Sequence, residues 1–371
     1  MGELYELPEG WEWQEWKSIV NVRNGKHYKE VLNPNGKYPI YGSGGIMNYA
    51  DEYLCNENTT IIGRKGTINS PIFVKEKFWN IDTAFGLEAK EEYLIPLYLY
   101  YFALHFDFLI LNKSTTLPSL AKSNLQKILM PLPPLQEQKR IVAKLDSLFA
   151  KIDQAIALHQ QNIDEAEGFM GSVLNEVFGE LEGQYEKKEL KDIVDNHDGK
   201  RIPIKASDRE NIQGEYPYYG ASGIIDYVED YIFDGEYLLI SEDGANLTVR
   251  KYPIAFIARG KFWVNNHAHI VLAKKEVSSN KYMEYSFAYT DISSYITGSA
   301  QPKMSQKKMN IIQFVIPPLE TQQKTVQYLD QISQKTEKLK QAQQEKIQSL
   351  KELKASLLDR AFRGELLVSL Y

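Results

Sequence analysis

Apolar and small residues at Ile141, Leu145, Leu148, Ile152 and Ala155, and again at Ala166, Phe169 and Val173, recur at alternating spacings of three and four. That heptad pattern predicts one long helix over residues 135–181, entered after Pro133 and Pro134, because proline is tolerated at a helix start and not inside. A second seam, at Leu329, Ile332, Thr336, Leu339, Gln343, Leu350, Leu353 and Leu357, predicts a second long helix from Leu319, again after a double proline. Polar residues break both seams near the middle, His159 and Asn162 in one, Gln343 and Lys346 in the other. Polar seam positions commonly specify register and partner. Each helix would be roughly 65 to 70 Å long at 1.5 Å per residue. Periodicity alone leaves a plain dimerisation zipper open.

Residues 1–134 carry shorter patterns. Tyr38–Ile46 and Thr59–Gly66 read as strands entering glycine turns, Ser70–Phe78 and Phe85–Ala89 as further strands, and Ile95–Leu111 as a helix followed by a polar loop. The same plan returns. Tyr216–Ile224 matches Tyr38–Ile46 at a shift of 178, while Lys261–Trp263 matches Lys77–Trp79 and Pro317–Leu319 matches Pro133–Leu135 at 184. The expected fold class is α+β: mixed α/β domains at 1–134 and 182–318, with long helices at 135–181 and 319–371. A pseudo-twofold relation between the halves would require the helices to run antiparallel as an intramolecular coiled coil, with the domains at opposite ends. The loops differ where the scaffold recurs, Gly63-Arg64-Lys65-Gly66 facing Ser241-Glu242-Asp243-Gly244.

Composition narrows this picture. A chain of 371 residues with 43% hydrophobic and 12% aromatic content is sized for two or three folded domains rather than one core or a disordered chain. No apolar run reaches the roughly 20 residues that span a bilayer, and the acidic start lacks a signal peptide's features, so a cytoplasmic, membrane-free protein is expected. The lone Cys55 is expected simply to pack. A net charge of -6 argues against indiscriminate coating of nucleic acid but not against selective binding. The two helical segments carry -4 and +2, which suits side-by-side packing.

At Pro131–Asp146, and again at Ile316–Asp330 with the tail Ser356–Leu366, the chain closely resembles the DNA specificity subunits of type I restriction-modification systems. Pro133, Pro134, Leu135, Glu137 and Gln138 match the family's proline-helix entry, as do Pro317, Pro318, Leu319 and Gln322 in the second half, where Thr321 replaces the acidic residue. Leu174, Phe178 and Leu181 match Leu358, Phe362 and Leu366. The resemblance implies two target-recognition domains, each reading one half of a split double-stranded DNA target. The long helices then set the gap. Catalysis would reside in partners, namely two methyltransferase subunits and, through them, restriction-translocase subunits, with no cofactor on this chain.

Intrinsic catalysis has thin support. Asp82 with Glu88 and Lys90 loosely fits a metal-dependent nuclease, yet Leu272 stands where Glu88 does in the repeat. No Asn/Asp-Pro-Pro-aromatic motif of an adenine methyltransferase is present, and Gly42–Gly45 reads as a turn. His267 and His269 lack a third metal ligand nearby, and their counterparts are Thr83 and Phe85. DNA reading needs cations for phosphates and paired donors and acceptors for base edges. The candidates are Tyr41, Ser43, Arg64, Lys65, Thr67, Lys113 and Thr116 in the first half, and Tyr219, Ser222, Asp243, Asn246, Arg250, Gln301 and Lys303 in the second. The acidic loop of Glu242 and Asp243 would accept from cytosine, and Asn246 would bond adenine. The bland alternatives are a solvated hairpin tip for the Arg64 loop and packing for the two tyrosines. Ile156, Ile163, Met170 and Val177, off the main seam, are the expected docking residues for the methyltransferase. The competing reading is a coiled-coil scaffold with two ligand-binding domains that never touch DNA.

Overall fold

The computed structural model of the protein describes residues 5–112, 117–298 and 300–366. The chain divides into two units, residues 1–160 with 344–371, and residues 161–343. Both long helices form, over Leu135–Glu182 and Leu319–Phe362, and the division falls near their midpoints.

In the first unit an antiparallel sheet runs in the order Val20–Asn24, Ala84–Ala89, Thr59–Gly63, Ile72–Val74. A second sheet pairs the hairpin Tyr38–Gly42 and Gly45–Ala50 with Trp79–Asn80, the last parallel to Tyr38–Gly42. In the second unit the equivalent strands join into one six-stranded sheet. Its order is Val194–Asn196, Ala268–Ala273, Phe233–Ser241, Ala255–Val264, Gln213–Gly220, Gly223–Val228, again with one parallel pair. The long strand Ala255–Val264 makes the difference. It pairs with Phe233–Ser241 on one side and Gln213–Gly220 on the other, where the first unit has two short strands.

The four-stranded and the six-stranded sheet each pack on a ten-residue helix, Pro96–His105 or Asn280–Tyr289, whose tyrosines reach the long helices and the segments just before them. Tyr98 donates to the carbonyl of Pro131 and Tyr282 to that of Val315, at 3.1 and 3.0 Å. Tyr101 bonds Asp146 and Tyr285 bonds Asp330 in the same way. The core of each unit then closes on the end of the long helix that starts in the other. Phe362 packs on Tyr98 and Phe102 in the first unit, and Phe178 on Tyr282 and Tyr289 in the second. Both phenylalanines are fully buried, each worth about 1.5 to 3 kcal/mol of hydrophobic burial.

The helices run antiparallel, on a seam that departs from the expected one at a few positions. In the first unit Leu145, Phe149, Ile152 and Ile156 share a cluster with Leu350, Leu357, Leu358 and Ala361. In the second, Met170, Val173 and Val177 share one with Val326, Leu329 and Ile332, and Ile163 and Ala166 are buried. The seam keeps the expected Ile141, Leu145, Ile152, Ala166 and Val173, takes in Phe149 and Ile156 beside a partly buried Leu148, and passes through Met170 rather than Phe169. Phe169 is 54% exposed, and Leu339 and Leu353 also face solvent. Adjacent apolar pairs satisfy either phase in the sequence: Leu148 and Phe149 both pack on the first core, while of Phe169 and Met170 packing takes the second. Lys340 and Lys354 flank the seam instead, bonding Glu167 at 2.9 Å and Asp153 at 2.7 Å. The polar break is shared, since Asn162 donates to Gln343 at 3.4 Å.

Candidate nucleic-acid interface

Four chain segments converge in each unit. The strand Thr59–Gly63 ends at a glycine whose missing side chain is essential, because a Cβ there would lie 2.0 Å from the carbonyl oxygen of Thr67 and 3.2 Å from Cβ of Ser43. The loop that follows is clasped to the segment before the long helix. Gly66, in the left-handed region at φ +78°, donates to Pro118, and Leu120 donates to Arg64, at 3.0 and 2.9 Å. Arg64 and Lys65 both donate their N–H to Thr83.

The second unit repeats the clasp. Gly244 donates to Pro302 at 2.9 Å, Met304 to Glu242 at 2.7 Å, and Glu242 to His267 at 2.9 Å. The hydroxyl of Ser241 closes onto the hairpin turn by donating to Ala221. Backbone scaffolding is thus the same in both units while side chains differ.

What lies under the clasp has been exchanged as a pair. In the first unit the Arg64 guanidinium stands 5.8 Å from the ring of Phe85. Glu242 and His269 take those positions in the second, where Glu242 meets Arg201 at 2.7 Å, Lys303 at 3.2 Å and His269 at 3.6 Å. His269, 1% exposed, also meets Asp198 at 2.6 Å through Nδ1, and its Nε2 faces the Met304 carbonyl at 2.8 Å. Burial alone would raise the Asp198 carboxyl, but the bond and charge of His269, the Ile270 N–H and Arg201 outweigh it and hold Asp198 below its ordinary value. Glu242 is likewise held low against its burial by Arg201, His269 and Lys303.

The candidate residues fare differently. Lys65 and Thr67 are exposed on the first clasp and Arg64 is half-buried beside them. Gln301 and Lys303 are exposed on the second, and Ser222 on its hairpin turn. Tyr41 packs on Phe78 and Tyr219 on Phe256 and Phe262, and burial pushes both phenols above the ordinary tyrosine value. Ser43 is half-buried in its turn. Lys113 and Thr116 lie outside the described residues.

Asn246 and Arg250 are each tied to neighbouring backbone, with Arg250 still exposed. The Asn246 amide both donates to and accepts from the backbone of Tyr252, at 3.0 and 2.9 Å, and Arg250 donates to the carbonyl of Thr290 at 2.8 Å. Asp243 is spoken for as well, both carboxylate oxygens lying 2.9 Å from Nδ1 of His267. A docking role for Ile156, Ile163, Met170 and Val177 loses its premise of exposure. They form the seam itself, Ile163 being 6% exposed and the other three half-buried against the cores.

Two features escaped the sequence reading. Ile46, Met47 and Tyr49 on the outer hairpin strand are 40 to 53% exposed, and Ile224, Ile225 and Tyr227 repeat them in the second unit at 47 to 53%. The recurrence of this triple at a shift of 178 was the available signal. The second feature is the clasp, whose carbonyl and N–H partners leave no trace in side-chain types.

Elsewhere, chemistry-bearing residues serve the fold. Glu88 pairs with Arg23 at 2.7 Å and accepts from the N–H of Asn56, while Lys90 donates to Ser18. Cys55 is buried, which pushes its thiol up to about 12. Among the described residues no three His, Cys, Asp or Glu side chains are grouped to hold a metal ion, and no helix is long and apolar enough to cross a membrane.

The model of the type I restriction modification DNA specificity domain matches residues 8–167 and again 182–349, one copy for each half of the duplication. The chain belongs to this family. It is 36% identical over 154 residues to a Haemophilus influenzae chain described as a candidate type I restriction enzyme specificity subunit, covering 41% of this chain and 39% of that one. It is 28% identical over 222 residues to the Methanocaldococcus jannaschii type I restriction enzyme MjaVIII specificity subunit, over 52% of this chain and 51% of the relative. These matches span only about half or less of those two relatives. With the Escherichia coli EcoprrI specificity subunit the match covers 84% of both chains at 23% identity.

Solved structures agree on the fold. A chain described under the complex assembly and conformational transition of the type I R-M system superposes with a TM-score of 0.73 at 19% identity, covering 98% of this specificity-family chain and all of that one. The HsdS subunit from Thermoanaerobacter tengcongensis gives 0.51 at 21% identity, covering 98% and 99%.

Proposed function

We propose that this chain is the DNA-reading subunit of a type I restriction-modification complex, that it binds a bipartite duplex target with one half per unit, and that base modification and cleavage are done by partner subunits in the cytoplasm. The observation that carries this reading is the clasp built twice on one backbone plan and filled with unlike side chains. A scaffold with two generic ligand domains has no need to hold the loop geometry constant while exchanging Arg64 and Phe85 for Glu242 and His269. Cations supply sequence-independent affinity, and side chains at base edges supply selection. Lys65 and Arg64 serve the first role in one unit, and Lys303 in the other.

In the same reading the paired long helices set the unspecified gap between half-sites and seat two methyltransferase subunits, through which restriction-translocase subunits join. The exposed faces of the helices are the docking surface. Leu158 and Leu353 in the first unit, and Phe169 and Leu339 in the second, are 45 to 55% exposed there. The test is to map modified bases in DNA from cells producing this chain with its methyltransferase. A split motif, two short specified blocks around a fixed gap, is the expected result; a single continuous motif, or modification independent of this chain, would refute it.

A further inference from the structure

Asp243 has a carboxylate and no means of donating, so the ring nitrogen that faces both of its oxygens at 2.9 Å must carry the proton. His267 is therefore held with Nδ1–H toward Asp243, and whenever the ring is neutral its Nε2 is left with a lone pair. We infer that His267, oriented by Asp243, is a specificity-determining residue of the second unit and accepts a hydrogen bond from the exocyclic amino group of an adenine or cytosine in its half-site. This rests on the DNA-reading function proposed above.

The ring is preorganised and outward. Its own N–H donates to Asn265 Oδ1 at 2.8 Å, and its carbonyl receives the Glu242 N–H at 2.9 Å, so its backbone is pinned on both sides of the clasp. The imidazole is half exposed, whereas Asp243 is only 20% exposed behind it. Neighbouring His269 offers the contrast: buried, with both ring nitrogens engaged by Asp198 and Met304, it serves the fold.

Position and chemistry then converge. The first unit has Thr83 at the equivalent place, and its carbonyl does the same backbone work for Arg64 and Lys65. Only the side chain changes between the units, as expected of a position that selects. In the major groove adenine presents N6–H2 and cytosine N4–H2 as donors, whereas guanine and thymine present O6, N7 and O4 acceptors, which would oppose the Nε2 lone pair. Asp243 thus positions the reader rather than reading.

The test selects bound duplexes from a randomised pool with the full chain, co-produced with its methyltransferase subunits, as wild type, His267→Ala, His267→Gln and Asp243→Ala. The expected result is loss of about tenfold discrimination at one base position of one half-site in His267→Ala, with the other half-site and the salt dependence unchanged. Asp243→Ala should relax the same position, because a freed ring can donate or accept there. His267→Gln, with a carbonyl oxygen at its tip, should retain the preference for an amino-bearing base. Unchanged preferences in His267→Ala would overturn the inference and leave DNA reading intact. Equal weakening toward all sequences would also overturn it. A wild-type complex that selects no sequence would sink the proposed function and this assignment with it.

Discussion

Gln138 reaches back from the first turn of the first long helix to donate to the carbonyl of Tyr93 at 2.8 Å. The same amide donates to Pro133 and accepts the N–H of Ile95, so one fully buried side chain fastens the turn into the ten-residue helix to the start of the long helix. Gln322 does the same 184 residues later, donating to Val277 and Pro317 and accepting from Ser278. A buried amide with every group paired stabilises modestly, but removing it orphans its partners. Gln138→Leu should therefore lower stability by about 1 to 3 kcal/mol, and Gln322→Leu by a similar amount, read as shifts in the urea midpoint. A neutral effect at both sites would show that the prolines alone fix the helix entry.

Seam phase is tested by four substitutions to alanine. Ile163→Ala should cost about 2 kcal/mol or more as a buried large-to-small change. Leu158→Ala and Phe169→Ala, on the solvent face, should stay within about 0.5 kcal/mol, while half-buried Met170→Ala falls between. Thermal denaturation of the four variants decides it, and a larger loss from Phe169 than from Met170 would restore the sequence-derived phase.

Arg64 and Lys65 are expected to meet phosphates. Replacing both with alanine should weaken binding uniformly across sequences and make the slope of log affinity against log salt shallower by about 0.9 for each phosphate left without its cation. Titrations at several salt concentrations read this directly. An unchanged slope would assign the loop to packing on Phe85 instead.

Acid should loosen the second clasp. Asp198 and Glu242 are held below their ordinary values in the fold, so their contribution is fully present above the unfolded carboxyl range and is lost as pH falls through the lowered values. Thermal midpoints measured from pH 7 down to about pH 3 should fall for the wild type. Asp198→Asn should start lower at pH 7 and fall less. Parallel curves for the two proteins would contradict the linkage.

Much of the fold was legible because duplication writes each signal twice. A shift of 184 residues carries Pro133 to Pro317, Gln138 to Gln322 and Phe178 to Phe362, and each pair occupies equivalent surroundings. The helix phase was not fully legible, since Phe169 and Met170 are both apolar and only packing, which leaves Phe169 exposed and sets Met170 against the core, selects between them. The candidate loops were legible in the sequence, and the partners of their side chains were not. Asn246 and Arg250 have the chemistry of base and phosphate readers, and the sequence does not show that they also hold the carbonyls of Tyr252 and Thr290, partners that depend on where the chain turns. His267 was visible only as half of a possible metal pair, because its orienting partner Asp243 lies 24 residues away in sequence.

The claim on which the account turns is that the paired helices measure DNA. Removing one heptad from each helix beside the Asn162 and Gln343 pair, so that the seam stays in phase, shortens the two helices by about 10 Å, or roughly three base pairs at 3.4 Å each. Mapping methylated bases in cells carrying the shortened chain should show both specified blocks retained around a gap reduced by about that amount. An unchanged gap with both blocks intact would contradict it.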